Sequence, residues 1–170
     1  MRPPRMSVVV VGQPDDLCEF LDDAGHHLEF DQTWSALGDF DLIVLAVPAD
    51  VLPEVVARLQ PVVGPKHIVV HTALEVGPEV LTDLPSLAIA MHSVGREFVV
   101  STVDEISDAV AAALVAEMGG NMWRIPENER IALAEALELA KQANALKRRA
   151  LNTVRSEAAK DVVIRQLGGW

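Results

Sequence analysis

Short apolar runs alternate along this chain with stretches of helical periodicity. Ser7 to Val11 is a β-branched run ending at Gly12 and reads as a buried strand. Pro14-Asp15-Asp16 then opens a helix, because proline suits a first turn and carboxylates suit the positive end of the helix dipole. Leu17, Phe20 and Leu21 give that helix an apolar face, and Gly25 ends it. His27 to Phe30 predicts a short second strand. Leu42 to Val47, almost wholly apolar, predicts a third that is covered on both faces. Ala49 to Leu59 predicts a helix with Pro53 in its first turn, and His67 to His71 a fourth strand. Leu87 to Met91 predicts a fifth strand, Val103 to Met118 a helix stopped by Gly119-Gly120, and Met122 to Ile125 a last strand. This alternation implies an α/β fold, a parallel sheet of right-handed crossovers with helices on both faces, over residues 1–126.

From Glu127 to about Leu167 the period is helical throughout. Leu133, Leu137, Ala140, Ala143, Leu146, Ala150, Val154, Ala158 and Val162 recur three or four apart. Unbroken, such a helix would be ~60 Å long at 1.5 Å per residue, whereas a compact chain of this length is only ~40 Å across. The helix is therefore expected either to break near Asn152-Thr153 or to overhang its own domain and meet a partner. Residues 127–170 are read as a C-terminal helical segment that makes a homodimer. A helical hairpin folded on its own sheet is the alternative.

Charge sharpens that expectation. The net charge of −11 is unevenly spread: residues 1–138 hold 7 basic and 23 acidic residues, a net of −16, and residues 139–170 hold 7 basic and 2 acidic, a net of +5. A basic tail lying on the acidic body of a second copy would account for the split. The acidic body argues against nucleic acid as a partner, since phosphates would be repelled. With 50% apolar residues the chain is not disordered. Its apolar runs fall far short of the ~20 residues of a membrane helix, and the short apolar run after the charged start is not expected to act as a signal peptide. Cys18, alone, excludes an internal disulfide. A cytoplasmic protein is the expected setting, with no membrane partner. His26-His27 is adjacent, not four apart, and lacks a cysteine pair, so no zinc pattern is present.

Leu42-Ile-Val-Leu-Ala-Val-Pro48, followed by Val51-Leu-Pro-Glu-Val-Val56 and His67-Ile-Val-Val-His-Thr72, resembles the 6-phosphogluconate dehydrogenase-like superfamily. The Rossmann domains of prephenate dehydrogenase-like and ketopantoate reductase-like proteins are similar in style, as is a small uncharacterised actinobacterial group in which a stretch like Glu117-Met-Gly-Gly-Asn-Met122 leads into a long helix. The resemblance covers about residues 7–126. It implies a Rossmann-type fold, NAD or NADP as cofactor, and oxidation or reduction of a small hydroxy or keto acid. Val47, Pro48, His71 and Thr72 would then stand at the cofactor edge of the sheet with Gly12. Asp31, 19 residues after Gly12, would meet the ribose hydroxyls; a helix cap or loop acid is the other reading of it.

Such families hold the diphosphate with G-x-G-x-x-G after the first strand. Here the frame reads Gly12-Gln13-Pro14-Asp15-Asp16-Leu17, and only the first glycine remains. Pro14 removes a donor, Leu17 adds bulk, and Asp15 and Asp16 bring negative charge. Two like charges ~4 Å apart repel by about 4 kcal/mol at an effective dielectric of 20, or roughly 1000-fold in affinity.

His71 and His92 both follow apolar strands and should lie at the carboxyl edge of the sheet, where open α/β folds bind ligands. Met91-His-Ser-Val-Gly95 resembles the histidine turn of prephenate dehydrogenase-like proteins, which implies that His92 meets the substrate hydroxyl as hydrogen-bond partner or base. Ser93 stands where the family has proline. His71-Thr72-Ala73 resembles a His-x-Ser turn with Ala73 in place of serine. Each histidine has a plainer reading as a turn residue satisfied by backbone. Lys141 and Asn144, three apart, resemble the Lys-x-x-Asn of β-hydroxyacid dehydrogenases, without the glycines that precede it there. Trp34, Trp123 and Trp170 read as packing or interface residues. Only about 44 residues follow Pro126, so a helical second half of the active site is expected to be missing or supplied by another subunit. Two functions stay open: an NAD(P)-dependent oxidoreductase, and a non-catalytic ligand-binding or scaffold protein that has lost the cofactor.

Overall fold

The structure, a computed structural model, describes residues 5–30 and 32–168. Its centre is a seven-stranded sheet in the order β2-β1-β3-β4-β5-β6-β7. The strands are β1 (Ser7–Gly12), β2 (His27–Phe30), β3 (Leu42–Ala46), β4 (Ile68–His71), β5 (Leu87–Val94), β6 (Glu97–Thr102) and β7 (Asn121–Trp123). Three helices join them: α1 (Asp16–Asp23), α2 (Leu52–Leu59) and α3 (Glu105–Glu117).

Period-two alternation divides the core in two. Val8, Val10, Leu42, Val44, Val70, Ile89 and Met91 point to one face and pack against α1 and α3 through Leu17, Leu21, Ala111 and Leu114. Val9, Ile43, Leu45, Val69 and Ala88 point to the other and pack against Leu52, Val55, Val56 and Leu59 of α2. All five residues of β3 are buried, as the unbroken apolar run requires for a central strand covered twice.

The sheet is not wholly parallel, and here the sequence expectation is corrected. The five strands β1 to β5 run parallel. Chain reversal at Gly95-Arg96, where Gly95 has φ +57°, folds β6 back on β5 as an antiparallel hairpin with Val94 opposite Glu97. β7 follows β6 in parallel. The predicted fifth strand therefore runs three residues further, to Val94, and a further strand, β6, occupies residues left unassigned between Met91 and Val103.

Two compact units are present, Met1–Ile131 and Ala132–Trp170. Helix α4 (Arg130–Thr153) begins at their boundary and α5 (Glu157–Gln166) follows it. The long periodic stretch breaks at residues 154–156, next to Asn152-Thr153. Thr153 turns its hydroxyl onto the Arg149 carbonyl at 3.0 Å, and Ser156 caps α5 by accepting from the Ala159 N–H at 3.2 Å. Leu139, Leu146 and Val162 are exposed. Among the described residues no helix is long and apolar enough to cross a membrane.

Candidate functional site

The parallel strands point their carboxyl ends to one edge. There, between the ends of β3 and β4, lies a cleft of about 600 Å³ lined by Gln13, Ala46, Val47, Pro48, Ala49, Asp50, Thr72, Ala73 and Glu75. Val47, Pro48 and Thr72 thus come together as the sequence predicts. Gln13 joins them from the turn after β1, and Asp50 and Glu75 join them unforeseen, since surface carboxylates after a strand carry no motif. The cleft residues include two carboxylates and neither lysine, arginine nor histidine.

Gly12 stands beside a second, smaller cavity of about 160 Å³, formed with Val10, Val11, Gln32, Trp34 and Leu37. Its φ of +103° and its position against β3 both demand glycine. A Cβ there would overlap the Ala46 carbonyl oxygen and stand 2.7 Å from Val47 Cγ1. Trp34 forms one wall, with the Arg58 guanidinium 3.9 Å over its ring. Asp31 lies outside the described residues.

The turn from β1 into α1 determines whether a diphosphate would fit. The Gln13 N–H donates to the Ala46 carbonyl at 2.9 Å, and Pro14 has none to give. Asp15 is the N-cap of α1, and its carboxylate accepts from the Leu17 N–H at 3.1 Å. The helix end that would face a diphosphate therefore already holds an anion, covalently part of the chain, and two of the turn's donors are spent. Cys18, packed beneath, is inert, because burial pushes its thiol up to about 11.

His92 is not in a turn, which corrects the expectation. It lies within β5, opposite Val99. Its Nδ1 is 2.8 Å from the Thr72 carbonyl. A carbonyl only accepts, so Nδ1–H is the donor in this pair. His71 is fully buried and lines neither cavity. Its Nε2 donates to the Gly77 carbonyl at 3.0 Å, and its Nδ1 is buried with no partner among the described residues. Burial pushes its pKa down to about 4, against the opposing pull of the Gly77 carbonyl. His71 is thus a buried, neutral side chain bonded to the backbone of the loop that follows β4. His26 and His67, also buried, are satisfied by Met6 and Glu117, and by Gly64 and Gly38 respectively.

Sequence reasoning missed a buried cluster beneath the cleft. Arg130 is 2% exposed. Its Nε donates to Glu127 at 2.6 Å, its Nη1 to the Leu74 carbonyl at 3.2 Å, and its Nη2 to the Ser101 hydroxyl. Ser101 donates in turn to Glu127 at 2.8 Å. Partial burial pushes the Glu127 carboxyl up, but the donors Arg130 and Ser101 outweigh it and hold it below the usual range. An arginine in a charged turn, Glu127-Asn-Glu-Arg130, gives no sequence sign of burial. Lys141 and Asn144 are exposed, and Lys141 stands 3.9 Å from Glu138. Among the described residues no group of three or more His, Cys, Asp or Glu is placed to hold a metal ion.

No family model matches the chain, and no curated protein matches it. Solved structures do. A putative NADP oxidoreductase from Bacteroides fragilis superposes with a TM-score of 0.73 at 12% identity, over 96% of this chain and 78% of that one. Plasmodium falciparum pyrroline carboxylate reductase with NADP bound gives 0.68 at 12% identity, over 96% and 76%. Synechocystis arogenate dehydrogenase gives 0.64 at 18% identity, over 95% and 74%. The chain has the fold of these oxidoreductases. That is the Rossmann-type fold implied by the resemblance to the 6-phosphogluconate dehydrogenase-like superfamily. At such identities the likeness extends to the path of the chain and not to its chemistry.

Proposed function

We propose that this chain is a ligand-binding protein on an oxidoreductase fold, one that takes a small neutral or cationic metabolite in the cleft at Val47, Pro48 and Thr72 and does not hold a dinucleotide in the usual pose. The observation that carries this reading is the Asp15 carboxylate seated on the Leu17 N–H. A second anion at that helix end meets a fixed negative charge, at a cost of about 4 kcal/mol for ~4 Å separation near a protein surface. The carboxylates of Asp50 and Glu75 in the cleft act in the same direction. Titration with NADH, NADPH and adenosine, followed by nicotinamide fluorescence and tryptophan quenching, tests it. No dinucleotide binding up to millimolar concentration supports the reading, and micromolar binding overturns it.

A second reading has its own support. As an NAD(P)-dependent oxidoreductase of a small hydroxy or keto acid, the chain would use His92 as partner of the substrate hydroxyl. Its Nδ1–H is fixed by the Thr72 carbonyl, and Thr72 lines the cleft. Gly12 and Asp31 would belong to the cofactor side, with His71 beneath. Micromolar NADH binding would move the assignment here, and hydroxy-acid turnover lost in His92→Ala would complete it.

In either reading we infer a cytoplasmic homodimer, with residues 1–126 as the Rossmann-type domain and 127–170 as the pairing segment. The exposed Leu139 and Leu146, seven apart on α4, and the +5 charge of residues 139–170 against −16 in the rest support it.

A further inference from the structure

Three side chains from three separate elements donate to three carbonyls of one loop. His92 holds Thr72 at 2.8 Å, Arg130 holds Leu74 at 3.2 Å, and His71 holds Gly77 at 3.0 Å. The loop follows β4, and its Thr72, Ala73 and Glu75 form a wall of the cleft. Its inner side is therefore tied at both ends and in the middle.

The sheet register explains how. His71 pairs with Ala90, and Ala90 pairs with Ser101, so these three form one row across β4, β5 and β6 on the face away from α1 and α3. Ala90, the middle member, has nothing beyond Cβ, which leaves that face open between His71 and Ser101. Arg130 bonds to Ser101 at one end of the row and to the loop that follows His71 at the other.

Burying a guanidinium is a poor way to gain stability, since a well-packed apolar residue of the same volume commonly does as well or better. What arginine offers is a planar fork of donors whose directions are mutually fixed. Here the fork joins a β6 hydroxyl, the Glu127 carboxylate and the back of the cleft wall.

We propose that Arg130, which does not line the cleft, is its positioning residue: it fixes the Leu74 carbonyl, keeps the loop seated so that Thr72 meets His92, and thereby holds His92 as the Nδ1–H tautomer behind the cleft wall. The proposal rests only on the cleft being the ligand site, which both functional readings share.

The test uses ligand-free full-length protein at pH 8 and the variant Arg130→Lys, which keeps the charge and removes the fork. Backbone ¹⁵N relaxation should show order parameters for Leu74 to Gly77 falling from about 0.85 to below about 0.6, with Val8–Val10 and Ile43–Leu45 unchanged. Imidazole ¹⁵N shifts should show His92 passing from one tautomer to a mixture. An unchanged loop and tautomer in a folded variant would overturn the proposal. So would uniform loosening of the whole sheet, which is the mark of a merely structural arginine. Should Arg130→Lys not fold, Ser101→Ala removes one leg of the fork. It should move the same two readouts in the same direction, and no movement would again count against the proposal. The outcome is separate from any NADH or adenosine titration, which judges the functional readings alone.

Discussion

The Asp15 carboxylate lies 3.1 Å from the Leu17 backbone nitrogen and closes the N-terminus of α1 with the chain's own anion. In a dinucleotide-binding turn that position is left to the ligand, and glycine keeps the backbone bare. The change needs no departure from the fold, because a capped helix is as good a helix as one that caps itself on a phosphate.

Asp15→Ser should keep the cap and remove the charge, because serine is as good an N-cap as aspartate. We expect NADH to bind at least ~10-fold more tightly than to the wild type, the equivalent of 1.4 kcal/mol of relieved repulsion. Stability to urea should change by less than about 0.5 kcal/mol. Affinity that stays the same, by nicotinamide fluorescence, would mean that Asp15 is not the barrier.

His71 should give the protein a pH-dependent stability near neutrality. Its pKa is about 4 in the folded chain and 6.5 when unfolded, so between those values only the unfolded state takes up the proton. The contribution is complete above pH 6.5 and is lost as pH falls toward 4, by about 3 kcal/mol in all. Urea melts at pH 7 and pH 5 should show the decline, and His71→Gln should flatten it. The lowered carboxylates Asp41 and Glu127 act at lower pH, as they become protonated.

Gly12→Ala should cost about 2–4 kcal/mol, beyond an ordinary glycine substitution, because the positive φ and the overlap with the Ala46 carbonyl act together. Denaturant melts check the magnitude, and a cost under about 1 kcal/mol would show that the turn can rearrange.

Sedimentation should give a mass of about 37 kDa, twice the 18.4 kDa of one chain. The double substitution Leu139→Lys with Leu146→Lys should halve it. A wild-type mass of one chain would remove the dimer from the proposal.

The sequence was most legible where local chemistry and tertiary structure agree. The β-branched run of β1, the apolar run of β3 and the Gly119-Gly120 stop after α3 each mark an element within two residues of where it lies. β6 was hidden because Glu97-Phe-Val-Val-Ser-Thr102 runs on from the polar turn at Gly95 into the helix-like stretch at Val103, and a two-residue reversal leaves little punctuation. Of the candidate site, Val47, Pro48 and Thr72, set at the edge of the sheet by the resemblance, do meet in one cleft there. His92 was found with the wrong surroundings, since the resemblance suggested a turn where the chain continues as strand. Arg130 was not legible at all: its partners Leu74 and Ser101 are distant in sequence and become neighbours only through sheet register.

The β5–β6 reversal bears on how the chain folds. Each parallel strand pair in β1 to β5 is joined by a crossover and so closes a long loop before its contacts form, whereas β5 and β6 meet across two residues. Their six paired positions close with the least loop entropy in the sheet. A hairpin of that kind forms in microseconds, well ahead of crossover pairings. Of all the pairings in the sheet, the one that sets Ala90 beside Ser101 thus asks the least loop closure, and the pairing of β4 with β5 asks more.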